Sequence, residues 1–177
     1  MADLSKSDLE RFCSDDISRP SLSAPWSSGD YSYASNGHLI VRVPRMVDIA
    51  ESDVAPKVAG MFDKHMVEPP EWFALSDIEL PEMEIVDCAT CEGGEESVHD
   101  CPDCSCICED CNDTGKVEEI IRVKVGMALY QLKYLLMLKG LPNCKLGPTG
   151  EWTPAPFRFD GGDGLLMPMR SFATDFR

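Results

Sequence analysis

Long apolar runs are missing from this chain of 177 residues. No stretch approaches the roughly 20 apolar residues of a membrane-spanning helix. No early basic segment leads into an apolar run either, which argues against a secretory leader. A soluble, cytoplasmic protein with no membrane partner is therefore the expectation. Histidine is scarce, with three in the whole sequence. There is no phosphate-binding glycine loop and no paired nucleophile and base, so no catalytic constellation emerges and a non-enzymatic role is expected. No internal repeat is evident.

Positive charge is also in short supply. Lys and Arg number 16 against 31 Asp and Glu, for a net charge of −15. The deficit is local: residues 46–116 carry 19 acids and 3 bases, a net of −16, and the rest of the chain carries +1. Displacing counterions from nucleic acid requires Lys and Arg, so direct nucleic-acid binding is not expected. The acidic stretch reads as a solubilising surface.

Within it, Cys88–Cys111 is almost devoid of oily side chains. Apart from cysteine and Pro102, its apolar residues are Ala89, Val98 and Ile107. Burying each gains at most ~1.5–3 kcal/mol, while ordering the backbone costs ~1–2 kcal/mol per residue. Apolar burial cannot fold this segment. A thiolate-bound metal can, since structural zinc contributes roughly 10–16 kcal/mol in small peptides. Seven of the nine cysteines lie here, as the pairs Cys88/Cys91, Cys101/Cys104 and Cys108/Cys111 plus Cys106.

Cys88-x2-Cys91 and Cys108-x2-Cys111, 16 residues apart, match the spacing of a four-cysteine zinc site. Cys101, Cys104 and Cys106 are candidates for a second site, completed by His99 or by water. The competing reading is a spare thiol and a solvated histidine. One zinc is expected, and two if the inner set closes. A redox dithiol is disfavoured, because acidic surroundings raise a thiol pKa.

Around the cysteines the pattern predicts an α+β fold. Residues 4–13 read as a helix with a capping box of Ser5 and Asp8 and a staple of Leu4 and Leu9. Residues 30–43 read as a β-hairpin turning tightly at Asn36-Gly37. Residues 47–65 suggest a helix interrupted near Pro56, and 66–82, with three prolines, an irregular connection. Strands at 83–86 and 117–125 lead into and out of the cysteines. Residues 127–139 give the strongest helical pattern, with Gly140 as its stop. Short strands follow at 143–146, 156–159 and 164–169, with turns at 147–150 and 160–164. The Asp160–Gly164 run reads as a tight turn rather than a calcium or phosphate loop. Cys13 and Cys144 read as small core residues.

Two resemblances bear on these segments. Cys88-Ala-Thr-Cys91-Glu-Gly-Gly, Cys101-Pro-Asp-Cys104 and Cys108-Glu-Asp-Cys111-Asn-Asp-Thr-Gly115 resemble the C-x-x-C-x-G-x-G repeats of DnaJ-type co-chaperone zinc domains. In that family four repeats form a hairpin with two zincs, the outer repeats sharing one. Here Cys106 stands where a shortened fourth would fall. No His-Pro-Asp tripeptide occurs, so the part of such proteins that engages a chaperone ATPase is absent.

The flanks are similar to bacterial sliding clamps, the beta subunit of DNA polymerase III. Ser35-Asn36-Gly37-His38-Leu39 is similar to the clamp T-D-G-H-R-L turn, and Met167-Pro168-Met169-Arg170 matches the M-P-M-R with which clamps finish. The order of helices, hairpin and closing strands follows a clamp domain. The resemblance implies one clamp-like domain of two helices on an antiparallel sheet, from residues 1–87 and 116–177, with 46–82 an acidic connection and 88–115 an inserted zinc hairpin. It also implies that Gly37, His38, Leu39, Met167, Pro168, Met169 and Arg170 line an apolar pocket for short linear peptides of protein partners, of replication or repair. The competing reading is that Met167 and Met169 alternate on an edge strand and pack, with His38 an exposed turn residue. A ring would require several copies of the chain, a homo-oligomer. Seven residues, Ser171–Arg177, extend beyond the clamp ending.

The leading expectation is thus a zinc-stabilised, clamp-like protein-binding module. The alternatives are a DnaJ-like module that holds unfolded or client polypeptide, and a thiol–disulfide oxidoreductase.

Overall fold

The computed structural model describes residues 4–16, 18–52, 58–91, 108, 110–111 and 114–170. The chain divides into two compact units, Met1–Leu80 with Arg122–Arg177, and Pro81–Ile121. Helix and antiparallel sheet are mixed, as the pattern predicts, with sheet in excess.

The larger unit is built on one antiparallel sheet. Its strands are β1 (Trp26–Ser28), β2 (Tyr31–Ser35), β3 (Leu39–Pro44), β4 (Phe73–Ala74), β9 (Lys145–Leu146), β10 (Ala155–Phe159) and β11 (Gly162–Leu166). They run in the order β1-β2-β3-β11-β10-β9-β4. Strands β3 and β11, far apart in sequence, pair at the centre with Leu39 opposite Leu166 and Val41 opposite Gly164. Gly164 has no room for a side chain, because a Cβ there would stand 2.1 Å from the Phe157 ring and 2.2 Å from the Ile40 carbonyl.

Both faces of the sheet's middle are covered. Alternate residues point to opposite faces, so Ala34, Val41 and Leu166 join one apolar cluster while Tyr33, Ile40 and Leu165 join the other. The first cluster includes Leu9 of α1 (Lys6–Glu10) and Leu135 and Leu138 of α3 (Leu132–Lys139). The second includes Phe62 of α2 (Ala59–His65). The capping box of α1 is present as expected: Asp8 N–H donates to Ser5 Oγ, and Ser5 N–H donates to Asp8 Oδ2.

Several expectations are corrected. The helical pattern at 127–139 divides, because Gly126 takes a left-handed φ of 58° and turns Ala128–Gln131 (β8) back against Arg122–Val125 (β7). Tyr130 and Ala128 then point inward from a strand, and the helix starts only at Leu132. The strand expected over 117–125 also splits. Lys116–Glu118 (β6) pairs with Ile85–Asp87 (β5), and Ile121 N–H folds back to the Glu119 carbonyl before β7.

Of the helix expected over 47–65 the described residues contain α2 alone; Ser27 N–H instead bonds the Ala50 carbonyl. With α2 the larger unit has a third helix beyond the two that the clamp resemblance implies. The connection at 66–82 is less irregular than its prolines suggest, since β4 extends the sheet and Leu75 is buried. The Asn36-Gly37 turn is wider than a two-residue turn: Ser35 pairs with Ile40, and Asn36 Oδ1 accepts from the N–H of His38 and of Leu39.

Candidate functional site

The smaller unit is a hairpin stem carrying two cysteine turns. β5 and β6 pair with Val86 opposite Val117 and Asp87 opposite Lys116, and the Lys116 ammonium is ion-paired with the Asp87 carboxylate. The ladder continues one step further, with Cys88 N–H donating to the Gly115 carbonyl at 2.9 Å. Gly115 has a φ of 66°, where a side chain would be strained. That conformation carries the chain from the second turn into β6. Thr114 seals the same corner, its N–H and its hydroxyl both donating to the Cys111 carbonyl. Thr90 of the first turn donates its hydroxyl to Asp110 of the second.

These contacts bring together Cys88, Cys91, Cys108 and Cys111. All four sulfurs lie within 4.8 Å of one another. Cys88 Sγ stands 3.8 Å from Cys108 Sγ, and Cys91 Sγ stands 3.6 Å from Cys111 Sγ. Neither contact is a disulfide. Both match the edge of a tetrahedron of thiolates around zinc, roughly 3.8 Å for a Zn–S bond of ~2.3 Å. Cys88, Cys108 and Cys111 are buried, with Val117 packed against them.

Backbone N–H groups of Cys91 and Thr90 hold the Cys88 thiol down at about 7, contrary to the expectation that the acidic surroundings raise it. The N–H of Cys111 pulls Cys108 the same way, but burial and the adjoining thiols of Cys111 and Cys88 push it up on balance. The set is four soft donors with hydrogen bonds already aimed at negative sulfur, and it can hold a metal ion. The inner candidates His99, Cys101, Cys104 and Cys106 lie outside the described residues.

Four of the other expected site residues, Gly37, His38, Leu39 and Met167, line a single cavity of about 290 Å³ in the larger unit. Met167 N–H donates to the His38 carbonyl at 2.8 Å, which joins the end of β11 to the β2–β3 turn. Pro168, Met169 and Arg170 are not in that lining. Met167 and Met169 follow β11 rather than alternating along a strand, and Met169 N–H donates to the Leu129 carbonyl.

The cavity is completed by Leu22, Trp26, Ser35, Ile40, Val58, Met61 and Leu165. Sequence reasoning missed these. Trp26, an aromatic residue alone in a polar loop, was the available signal. The His38 ring stacks on Tyr134 at 5.2 Å. Burial, and secondarily Arg19, hold its pKa below the ordinary imidazole value. His38 and Tyr134 also border a second cavity of about 510 Å³, together with Arg11, Arg19, Lys133, Asp15 and Asp16.

Cys13 and Cys144 belong to or pack against the apolar core. Burial pushes their thiols up to about 11 and about 12, so neither is a nucleophile at neutral pH. No helix among the described residues is long and apolar enough to cross a membrane. No family model matches the chain, and neither a curated protein nor a solved structure shows significant similarity to it.

Proposed function

We propose that this chain is a zinc-stabilised protein-binding module. Cys88, Cys91, Cys108 and Cys111 hold one zinc that fixes the hairpin. The cavity lined by Gly37, His38, Leu39 and Met167 takes an apolar side chain from a short linear segment of a partner protein. The observation that carries this reading is the convergence of four thiols to within 4.8 Å, on a stem with too little apolar surface to order itself. The binding half is supported by the cavity, which draws its walls from two stretches more than a hundred residues apart. Methionines at its edge, Met61 and Met167, are adaptable walls for an apolar guest. The resemblance to sliding clamps suggests a partner in replication or repair, and a clamp-like domain as the frame.

Two measurements test it. Protein purified without added zinc should contain zinc bound through the tetrad, seen as the loss of one equivalent in Cys111→Ser. Short clamp-type peptides, titrated by isothermal calorimetry, should bind the full chain in preference to a denatured model protein. Metal-free protein with an ordered stem removes the first half of the proposal. Preference for denatured protein replaces the second half with the client-binding alternative.

A further inference from the structure

Trp26 opens β1 opposite Tyr33, and the two rings stack at 5.8 Å. It is 2% exposed, yet its indole N–H meets no acceptor among the described residues. An unpaired buried donor costs about 1–3 kcal/mol, and folded proteins retain few of them. The contrast with Trp72 is direct, since that indole N–H donates to Glu68 Oε1 at 2.7 Å. Trp26 also contributes to the wall of the 290 Å³ cavity. The hydroxyl of Ser35, another wall residue, is already engaged by the Leu39 carbonyl, and the His38 carbonyl is engaged by Met167 N–H.

We propose that Trp26 sets the specificity of this cavity: the guest is an apolar residue of a peptide, its side chain in the cavity and its neutral backbone carbonyl accepting the Trp26 indole N–H. The inference rests on the cavity being a peptide site and adds what the peptide must bring. The acceptor is neutral because the lining itself contains no Lys or Arg, and desolvating a carboxylate among Leu22, Ile40, Val58 and Leu165 is costly. Arg19, whose guanidinium lies beside Gly37, is not part of that lining. A purely hydrocarbon guest would leave the donor unpaired.

The test uses the full chain labelled with ¹⁵N and with ¹³C methyl groups. The probe is N-acetyl-leucine N-methylamide, with 4-methylpentanoate, which has the same branched hydrocarbon end but a carboxylate and no amide, as the charged comparison. The chain has three tryptophans, and Trp26→Phe assigns the relevant indole signal while keeping an aromatic ring. The expected result is a downfield shift of the Trp26 indole proton on titration, together with shifts of the Leu22, Met61 and Met167 methyls. Trp26→Phe should weaken the amide by roughly three- to tenfold, and the carboxylate should bind more weakly than the amide.

Methyl shifts without an indole shift, and with equal affinity in Trp26→Phe, leave the peptide site standing and overturn the role of Trp26. A carboxylate that binds as tightly as the amide overturns that role as well. An absence of methyl shifts with both probes overturns the site and the inference together. The indole shift is read on the unaltered chain, and Trp72→Phe and Trp152→Phe assign the Trp26 signal by elimination if Trp26→Phe fails to fold.

Discussion

The Thr90 hydroxyl donates to the Asp110 carboxylate, and this contact ties the third residue of one Cys-x-x-Cys turn to the third residue of the other. Neither residue carries a sulfur, yet the pair sets the distance between two turns whose cysteines must meet. The bond is exposed, which bounds its contribution at about 0.5–1.5 kcal/mol. Thr90→Val and Asp110→Asn should each weaken metal binding a few-fold, and the double variant should lose less than the sum of the two. Competition with a chromophoric chelator measures all three.

Removing the metal should act on the hairpin first. The smaller unit's stem pairs only three residues from each strand, and its apolar cluster consists of cysteines and Val117. With excess EDTA, amide signals of 85–88 and 116–118 should collapse toward random-coil shifts. Those of β2, β3, β10 and β11 should keep their dispersion, because their core contains no metal ligand. Signals in the stem that survive complete zinc removal would show that something other than metal orders it.

Arg42 grips Asp163 across the β3–β11 pair through Nε at 2.8 Å and Nη2 at 2.7 Å. Its guanidinium also lies 4.4 Å from the Tyr31 ring and 4.1 Å from the Phe62 ring. Lysine preserves the charge but neither the fork nor the planar stack. Arg42→Lys should therefore cost about 1–2 kcal/mol in urea unfolding. A change within about 0.3 kcal/mol, the range of an ordinary surface substitution, would mean that the fork contributes nothing beyond its charge.

His38 gives the larger unit a pH dependence of defined sign. Burial, then Arg19, hold its folded pKa below 6.5. The unfolded chain thus binds more protons than the folded one just below that value, and stability rises with pH there. The contribution is present above about 6.5 and is lost as pH falls through the folded pKa. His38→Gln should flatten the slope of unfolding free energy between about pH 5.5 and 7. An NMR titration of the imidazole should give a midpoint below 6.5; one above it would reverse the sign.

What was legible in the sequence was whatever local chemistry decides. The Ser5/Asp8 capping box reads correctly because its partners are three residues apart. The tetrad of Cys88, Cys91, Cys108 and Cys111 was legible as a set because metal chemistry restricts the spacing of ligands, and the structure brings its four sulfurs within 4.8 Å of one another. Residues 128–131 read wrongly because Leu129 and Leu132, three apart, continue the helical stripe, whereas the strand buries the alternate residues Ala128 and Tyr130. Pairing with β7, enforced by the turn at Gly126, decided for the strand.

The cavity belongs to a different level. Residue identity announced Gly37, His38, Leu39 and Met167 as a set, through their likeness to two short motifs. Trp26, alone among polar neighbours, was a signal of burial, but nothing in the sequence around it, Val58 or Met61 indicated that the three would face the same space. That depended on β3 pairing with β11 across more than a hundred residues and on α2 folding over one side of the sheet. Short-range patterns record hydrogen bonds and ligand spacings within a turn or two. Walls assembled from distant strands exist only once non-local pairing has closed the sheet.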